Sequence, residues 1–152
     1  MRVVLDTNVV ARALPGRNNA AEAVLLLLLQ PPHTLIVSEF VLAELARMLR
    51  YGRMRRVHGL PDDQLDAFVG HLRQGAEIVD VAAAAADAVV PSDPDDDPIV
   101  ATAVLGHAEA LATWDRHLFS APVQAYLQRF GIRVMRETDV LAELRQIGRT
   151  NP

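Results

Sequence analysis

The 152-residue sequence contains no cysteine, which excludes both a disulfide framework and a thiolate metal site. Any metal ion that the chain holds must therefore be bound by oxygen or imidazole ligands. Lysine is also absent, and all fifteen basic residues are arginine. The longest apolar run, residues 23–29, is far shorter than the roughly 20 residues that cross a bilayer. We therefore predict a protein without a membrane span.

The first six residues contain one arginine and place an acid after only three apolar residues, which is unlike a signal peptide. We therefore expect a cytoplasmic protein. Hydrophobic residues make up 51% of the chain and charged residues 22%, as in ordinary globular proteins. The length is near the commonest domain size, so we predict a single domain over residues 1–148 and a short tail over 149–152.

Short apolar segments alternate with segments of helical periodicity along most of the chain. Strands are predicted at residues 3–5, 34–37, 77–81, 110–114 and 131–135. Helices are predicted at residues 9–14, 20–29, 39–51, 61–74, 82–86, 99–107 and 138–147, with residues 52–60 as a connector. This alternation predicts an α/β fold with three α/β/α layers around a central parallel sheet of about five strands.

Acidic residues follow two of the predicted strands. Asp6 comes directly after the first strand, and Asp115 directly after the fourth. Ligands of parallel sheets bind beyond the carboxyl ends of the strands, so both residues are expected at one edge. Taken alone, Asp6 is also typical of a turn, and Asp115 of a cap for the short turn that follows it.

Two further acidic positions are expected near the same edge. Glu44 shares helical spacing with Phe40, Val41 and Met48, which predicts a carboxylate on an apolar helix face. Such a group must be paired or bind metal, and an arginine partner stays an alternative. In the acidic run of residues 93–97, Asp97 is the predicted N-cap because Pro98 suits the first helical position, which leaves Asp96 available.

Four carboxylates brought close together repel one another unless a cation lies between them. Mg²⁺ prefers oxygen ligands and leaves room for phosphate oxygens, and Mn²⁺ fits the same ligands. Such a site is typical of phosphodiester hydrolysis, in which the metal activates a water molecule.

The acidic residues lie in four segments that resemble, in order and spacing, the motifs of PIN-domain nucleases: Val3-Val4-Leu5-Asp6-Thr7-Asn8-Val9, Val41-Leu42-Ala43-Glu44-Leu45, Asp96-Asp97-Pro98-Ile99-Val100-Ala101-Thr102-Ala103 and Leu111-Ala112-Thr113-Trp114-Asp115. The chain is similar to the bacterial branch described as the toxin component of toxin–antitoxin pairs, the VapC toxins. Two features depart from compact toxins, a longer insert over residues 51–75 and the proline directly after the acidic run.

The resemblance implies a Rossmann-like PIN fold, Mg²⁺- or Mn²⁺-dependent endoribonuclease activity, a homodimer, and inhibition by a cognate antitoxin. It assigns the catalytic and metal-binding quartet to Asp6, Glu44, Asp96 and Asp115. Asn8 and Thr113 would be polar neighbours that orient these acids, and Asp97 is the alternative for the third place.

Five arginines fall within ten residues: Arg47, Arg50, Arg53, Arg55 and Arg56. We predict that this cluster guides the RNA backbone towards the acidic residues. The alternative is a solvated helix end, and few aromatic residues accompany the cluster that could stack on bases.

Two other classes of α/β protein have an acidic site suited to phosphoryl chemistry. Haloacid-dehalogenase-like phosphatases place a nucleophilic Asp after the first strand and a second acid two positions later, where this chain has Asn8. Receiver domains need a lysine opposite their phosphorylated Asp, and this chain has no lysine. A non-catalytic module that binds RNA or a partner protein stays an alternative to the nuclease.

Overall fold

The computed structural model describes residues 1–82 and 97–150. Its five strands are β1 (Arg2–Leu5), β2 (Thr34–Ser38), β3 (Glu77–Val79), β4 (Ala110–Ala112) and β5 (Arg133–Met135). They form one sheet in the order β3-β2-β1-β4-β5, with every neighbouring pair parallel. The predicted α/β fold with a five-stranded parallel sheet is confirmed.

The eight helices in the described residues are α1 (Thr7–Arg12), α2 (Ala20–Leu28), α3 (Glu39–Arg50), α4 (Gly52–His58), α5 (Asp62–Gly75), α6 (Asp97–Leu105), α7 (Ala121–Gln128) and α8 (Glu137–Thr150). Within residues 1–82 and 97–150, no helix combines the length and the apolar character that a membrane span requires.

Two hydrophobic cores cover the two faces of the sheet. Val3 and Leu5 of β1 pack into one core, while Val4 between them packs into the other, because successive strand residues point to opposite faces. Helices α1, α2, α3, α5 and α8 supply the helical residues of the first core, and α6 and α7 supply most of the helical residues of the second. The central strands are therefore apolar at consecutive positions, as expected for a sheet that is buried on both sides.

The predicted connector over residues 52–60 was wrong, because most of it forms α4. The buried imidazole of His58 lies 2.8 Å from the Leu49 carbonyl oxygen and accepts the Leu60 N–H. Gly59 ends the helix with a φ of 66°, a conformation that glycine adopts without strain. The segment contains good helix formers, arginine and methionine, and its two glycines stand at the start and the C-cap of α4 instead of breaking it.

Helix α7 was not predicted, although Pro122 stands in its first turn, a position where proline is favoured. Val123 and Leu127 are its buried residues, and both pack into the second core. The helix predicted over residues 82–86 lies, apart from Ala82, outside the described residues.

The pairing of β1 with β4 determines which residues meet at the carboxyl edge of the sheet. Leu5 pairs with Ala112, and the Asp6 N–H donates to the Ala112 carbonyl oxygen at 2.9 Å. The Thr113 N–H donates to the Met135 carbonyl oxygen of β5 at 3.0 Å. Asp6 and Thr113 therefore leave neighbouring strands side by side.

Gly106 lies so close to Ile36 of strand β2 that a larger residue at this position should lower stability. A Cβ atom there would lie inside the contact distance of Ile36 Cγ2 and 3.0 Å from the Thr102 carbonyl oxygen. Because Ile36 is fully buried, we expect Gly106→Ala to lower the free energy of unfolding by about 1–3 kcal/mol in urea denaturation followed by circular dichroism.

The matched control is Gly70→Ala within α5, where a Cβ atom would meet nothing within 4 Å. Alanine should stabilise that helix by roughly 0.5–1 kcal/mol. If both variants change stability by the same amount, packing against Ile36 is not the cause.

Candidate functional site

Asp6 is a buried carboxylate at the junction of β1 and α1. The residue is only 7% exposed, and its side chain caps α1 by accepting the Thr7 N–H on Oδ1 at 2.7 Å. Asp6 therefore also has the turn role that is typical of an aspartate after a strand. Burial of a charged carboxylate requires further compensation, which comes from the residues beyond β4.

A hydroxyl group connects Asp6 with Asp115. Thr113, which is fully buried, donates to Asp6 Oδ2 at 2.5 Å and accepts the Asp115 N–H at 2.9 Å. Asn8 also donates to Asp6 Oδ2, at 3.1 Å, and its own carbonyl oxygen accepts the Trp114 N–H at 3.3 Å. Both predicted polar neighbours therefore contact the same oxygen of Asp6.

Glu44 lies at the border of the buried face of α3. The fully buried residues of that helix are Val41, Leu42, Leu45 and Leu49. The predicted apolar face of this helix included Phe40. Because Phe40 is 40% exposed, the buried face lies part of a turn away from the predicted one. Glu44 is half-buried and accepts the Thr7 hydroxyl on Oε2 at 2.7 Å. No arginine of the described residues pairs with it.

Thr7 is a residue of the site that sequence reasoning missed. Its backbone N–H binds Asp6 and its hydroxyl binds Glu44, so one threonine connects two of the predicted acids. The available signal was a hydroxyl residue directly after the strand-end Asp6, in the first turn of a helix.

Asp115 is half-buried and lies three residues after Ala112, the last residue of β4. Its Oδ1 accepts the His117 N–H at 2.8 Å, so the predicted capping of the following turn is present. This hydrogen bond orients the Asp115 carboxylate, as the hydrogen bond from Thr7 orients the Glu44 carboxylate.

Glu44 and Asp115 act electrostatically on Asp6. The pKa of Asp6 is raised, mainly because burial penalises its charged form, and the negative charges of Glu44 and Asp115 raise it further. The hydrogen bonds from Thr113 and Thr7 act in the opposite direction and favour the ionised form. Asp6 therefore carries a charge that the protein alone stabilises incompletely.

Asp96 lies outside the described residues, and of Asp97 only its place at the start of α6 is described. The next turn of α6 is attached to the end of β2. Thr102 donates to the Pro98 carbonyl oxygen at 2.7 Å, and its Oγ1 lies 3.0 Å from Ser38 Oγ. The acidic run therefore leads into a helix that starts beside the carboxyl edge of the sheet.

Within residues 1–82 and 97–150, no three carboxylate or imidazole side chains are arranged to hold a metal ion by themselves. The chemistry of the donors nevertheless fits a hard divalent cation, because Asp6, Glu44 and Asp115 offer only oxygen ligands. In the described part of the chain no arginine neutralises any of them. The predicted fourth acid belongs to the segment that is not described.

The arginine cluster divides into two groups. Arg50 forms an ion pair with Asp66, and Arg55 pairs with Asp62 at 2.7 Å. Across the described ranges, the remaining three have no carboxylate partner and are exposed: Arg47, Arg53 and Arg56. The cluster is therefore partly structural.

Comparisons with known proteins found one family and one similar solved structure. The sequence profile of the family described as PIN domain matches residues 2–117, which is most of the chain. Among solved structures, the fold is similar to a chain of VapBC2 from Rickettsia felis, crystallised with a DNA fragment from their promoter. That match has a TM-score of 0.59 and 19% identity, and it covers 90% of this chain and 98% of the other. No curated protein matches the sequence.

The Thr113 hydroxyl supplies a test of the site's electrostatics. Its bond favours the ionised form of Asp6, so we expect Thr113→Val to raise the pKa of Asp6 further in a carboxyl ¹³C NMR titration without metal. An acid with a raised native pKa binds its proton more tightly when folded. The stability of the variant should therefore fall more steeply than that of the wild type as the pH rises above the ordinary aspartate range.

Thr113→Ser is the matched control, because serine keeps the hydroxyl and should titrate like the wild type. The valine variant should also lose about 1 kcal/mol of stability, since the part-buried Asp115 N–H loses its acceptor. An unchanged Asp6 titration in Thr113→Val would contradict the assigned hydrogen bond.

Proposed function

Because the chain belongs to the PIN-domain family, whose members are nucleases, we propose that it is an endoribonuclease that uses Mg²⁺ or Mn²⁺ to hydrolyse RNA phosphodiester bonds. One observation carries this proposal. Asp6 is a buried carboxylate whose pKa is raised by burial and by its acidic neighbours Glu44 and Asp115, and no arginine in the described residues pairs with it. Such a group is suited to a cation and not to a structural ion pair.

In this proposal, Asp6, Glu44 and Asp115 hold the cation together with Asp96, for which Asp97 is the alternative. When bound, a divalent cation lowers the pKa of the attacking water and neutralises charge on the phosphate. The protein's own contribution is orientation. Thr113 and Thr7 hold Asp6 and Glu44 in place by hydrogen bonds of 2.5 and 2.7 Å, so the carboxylates need little rearrangement when ligands bind.

The contacts of Asn8 argue against the phosphatase alternative. A haloacid-dehalogenase-like phosphatase needs a general acid at this position. The side-chain amide of Asn8 instead donates a hydrogen bond to Asp6 and accepts one from the Trp114 N–H. Asn8 therefore has a positioning role, and an amide has no acidic proton to transfer to a leaving group. Hydrolysis by an activated water needs neither a covalent intermediate nor a second acid at this position.

We further propose that the chain is the toxin component of a cytoplasmic toxin–antitoxin pair, forms a homodimer and is inhibited by a cognate antitoxin. The similarity in fold to a chain of VapBC2 supports this proposal. The acidic motifs that resemble those of the VapC toxins support it as well.

The first test is cleavage of a mixed pool of single-stranded RNA with Mg²⁺ or Mn²⁺. We expect cleavage by the wild type, its loss on addition of a chelator, and a loss of at least about 100-fold in Asp6→Asn, which corresponds to about 2.7 kcal/mol of transition-state stabilisation. The matched control is Asp63→Asn, which changes an exposed aspartate in the first turn of α5 and should cleave normally.

The same assay identifies the third acid through Asp95→Asn, Asp96→Asn and Asp97→Asn. We expect the largest loss for Asp96→Asn. Cleavage that survives the chelator, or equal cleavage by Asp6→Asn and the wild type, would refute the mechanism. RNA binding without any cleavage would favour the non-catalytic module.

The three unpaired arginines of the cluster generate a second test. Replacing Arg47, Arg53 and Arg56 by glutamine should weaken RNA binding and reduce the slope of log affinity against log salt by about 2, since each phosphate contact on a single strand contributes about 0.7. Fluorescence anisotropy with a labelled oligoribonucleotide in chelator measures both quantities without cleavage.

A control variant with the same change in charge replaces three exposed arginines outside the cluster: Arg129, Arg145 and Arg149. An equal loss of affinity in the two variants would show that only net charge matters. An unchanged salt slope in the first variant would exclude the cluster from the RNA-binding surface.

A further inference from the structure

Two arginines contact the exposed indole of Trp114, directly beside the acidic residues. The guanidinium carbon of Arg12 lies 4.7 Å from the ring centroid, and that of Arg136 lies 4.4 Å from it. Trp114 directly precedes Asp115, and its backbone N–H donates to Asn8, which in turn binds Asp6. We call Arg12, Trp114 and Arg136 the Trp114 cluster.

The same backbone that positions the acids also positions this cluster. Arg136 donates from Nη1 to the Thr113 carbonyl oxygen at 3.1 Å, and its guanidinium carbon lies 4.5 Å from the centroid of the Phe119 ring. Thr113 is also the residue whose hydroxyl binds Asp6. Arg12 ends α1, the helix that Asp6 caps. Both arginines are thus held at defined places relative to the carboxylates.

The cluster carries positive charge that nearby acids only partly neutralise. Within the described ranges, Arg136 has no carboxylate partner, and the single partner of Arg12 is Glu137 at 3.5 Å. That separation is longer than the 2.7–2.9 Å typical of a charge-assisted hydrogen bond. The Arg12 side chain is half exposed, and Trp114 is 44% exposed.

The geometry leaves hydrogen-bond donors available on both guanidinium groups. A guanidinium stacked on an aromatic ring uses its flat face, so its five N–H donors stay in the plane and can reach a phosphate. Arg12 donates no side-chain hydrogen bond within the described part of the chain, and Arg136 donates one. Two cations that share one ring repel each other, and a bound anion would relieve that repulsion.

Glu137 restrains Arg12 without occupying its donors. The carboxylate is 1% exposed, and its Oε2 has no hydrogen-bond partner in the described residues. It lies at the start of α8, directly after Arg136. Both residues follow the segment that matches the PIN-domain profile, which ends at residue 117.

We propose that Arg12 and Arg136, held on the indole of Trp114, bind a phosphate of the RNA strand next to the one that is cleaved. The identity of the ligand as RNA rests on the proposed function. The two arginines position the strand and do not contact the reacting atoms, so their loss should act mainly on affinity.

The test measures binding of a fluorescein-labelled single-stranded oligoribonucleotide by anisotropy, in chelator and at several salt concentrations. We expect Arg12→Gln and Arg136→Gln each to lower affinity roughly tenfold and to reduce the salt slope. The double variant should reduce that slope by about 0.7 for each phosphate that it no longer binds. Because Arg136 also binds the Thr113 carbonyl, thermal unfolding is recorded for each variant, and Arg12→Gln carries the test if Arg136→Gln is unstable.

The matched control is Arg129→Gln. Arg129 is also an exposed arginine near aromatic rings, with its guanidinium carbon 5.6 Å from the centroid of Tyr126 and 5.9 Å from that of Phe130. Its replacement removes the same charge and should leave affinity and salt slope unchanged. Equal losses in Arg129→Gln and Arg12→Gln would overturn the proposal, as would a wild type that does not bind the oligonucleotide.

A cleavage assay on the same preparations separates this proposal from the proposed function. Binding that depends on Arg12 and Arg136 without cleavage in Mg²⁺ or Mn²⁺ would support the phosphate contact and refute the nuclease. Cleavage with binding that is unaffected by either replacement would support the nuclease and refute the phosphate contact.

Discussion

The parallel pairing of β1 with β4 is the constraint on which the site depends. It places Asp6 next to Thr113. The Thr113 hydroxyl donates a hydrogen bond to Asp6 and accepts one from the backbone N–H of Asp115. Because this hydroxyl is buried, water cannot replace either bond. The rest of the site is arranged around that fixed pair, with Asn8 and Thr7 binding Asp6 from the α1 side.

The burial of Asp6 connects folding with function. A carboxylate whose charged form is penalised by burial and by acidic neighbours reduces the stability of the ligand-free protein at neutral pH. Apolar packing on both faces of the sheet offsets that cost. The arrangement is typical of functional sites, where local requirements of stability yield to chemistry.

Much of the fold and part of the site could be predicted from the sequence, for identifiable reasons. The buried strands are continuous apolar segments, and the residues that follow such a strand lie at the sheet edge, where Asp6 directly follows β1 and Asp115 comes three residues after β4. Helix α4 was missed because Gly52 and Gly59 were interpreted as breaks, whereas they stand at the first residue and the C-cap of the helix. Asp96 could not be distinguished from its neighbours because the crowded acidic run has no periodicity that selects one residue.

Helix α1 joins two parts of the molecule that sequence reasoning treated separately. It begins at the cap residue Asp6 and ends at Arg12, and its six residues span about 9 Å at 1.5 Å per residue. The helix therefore determines the separation between the backbone positions of Asp6 and Arg12, and the stacking on Trp114 holds the Arg12 guanidinium in place. If both ends of α1 contact one RNA strand, the length of this helix determines how far the bound phosphate lies from the bond that is cleaved.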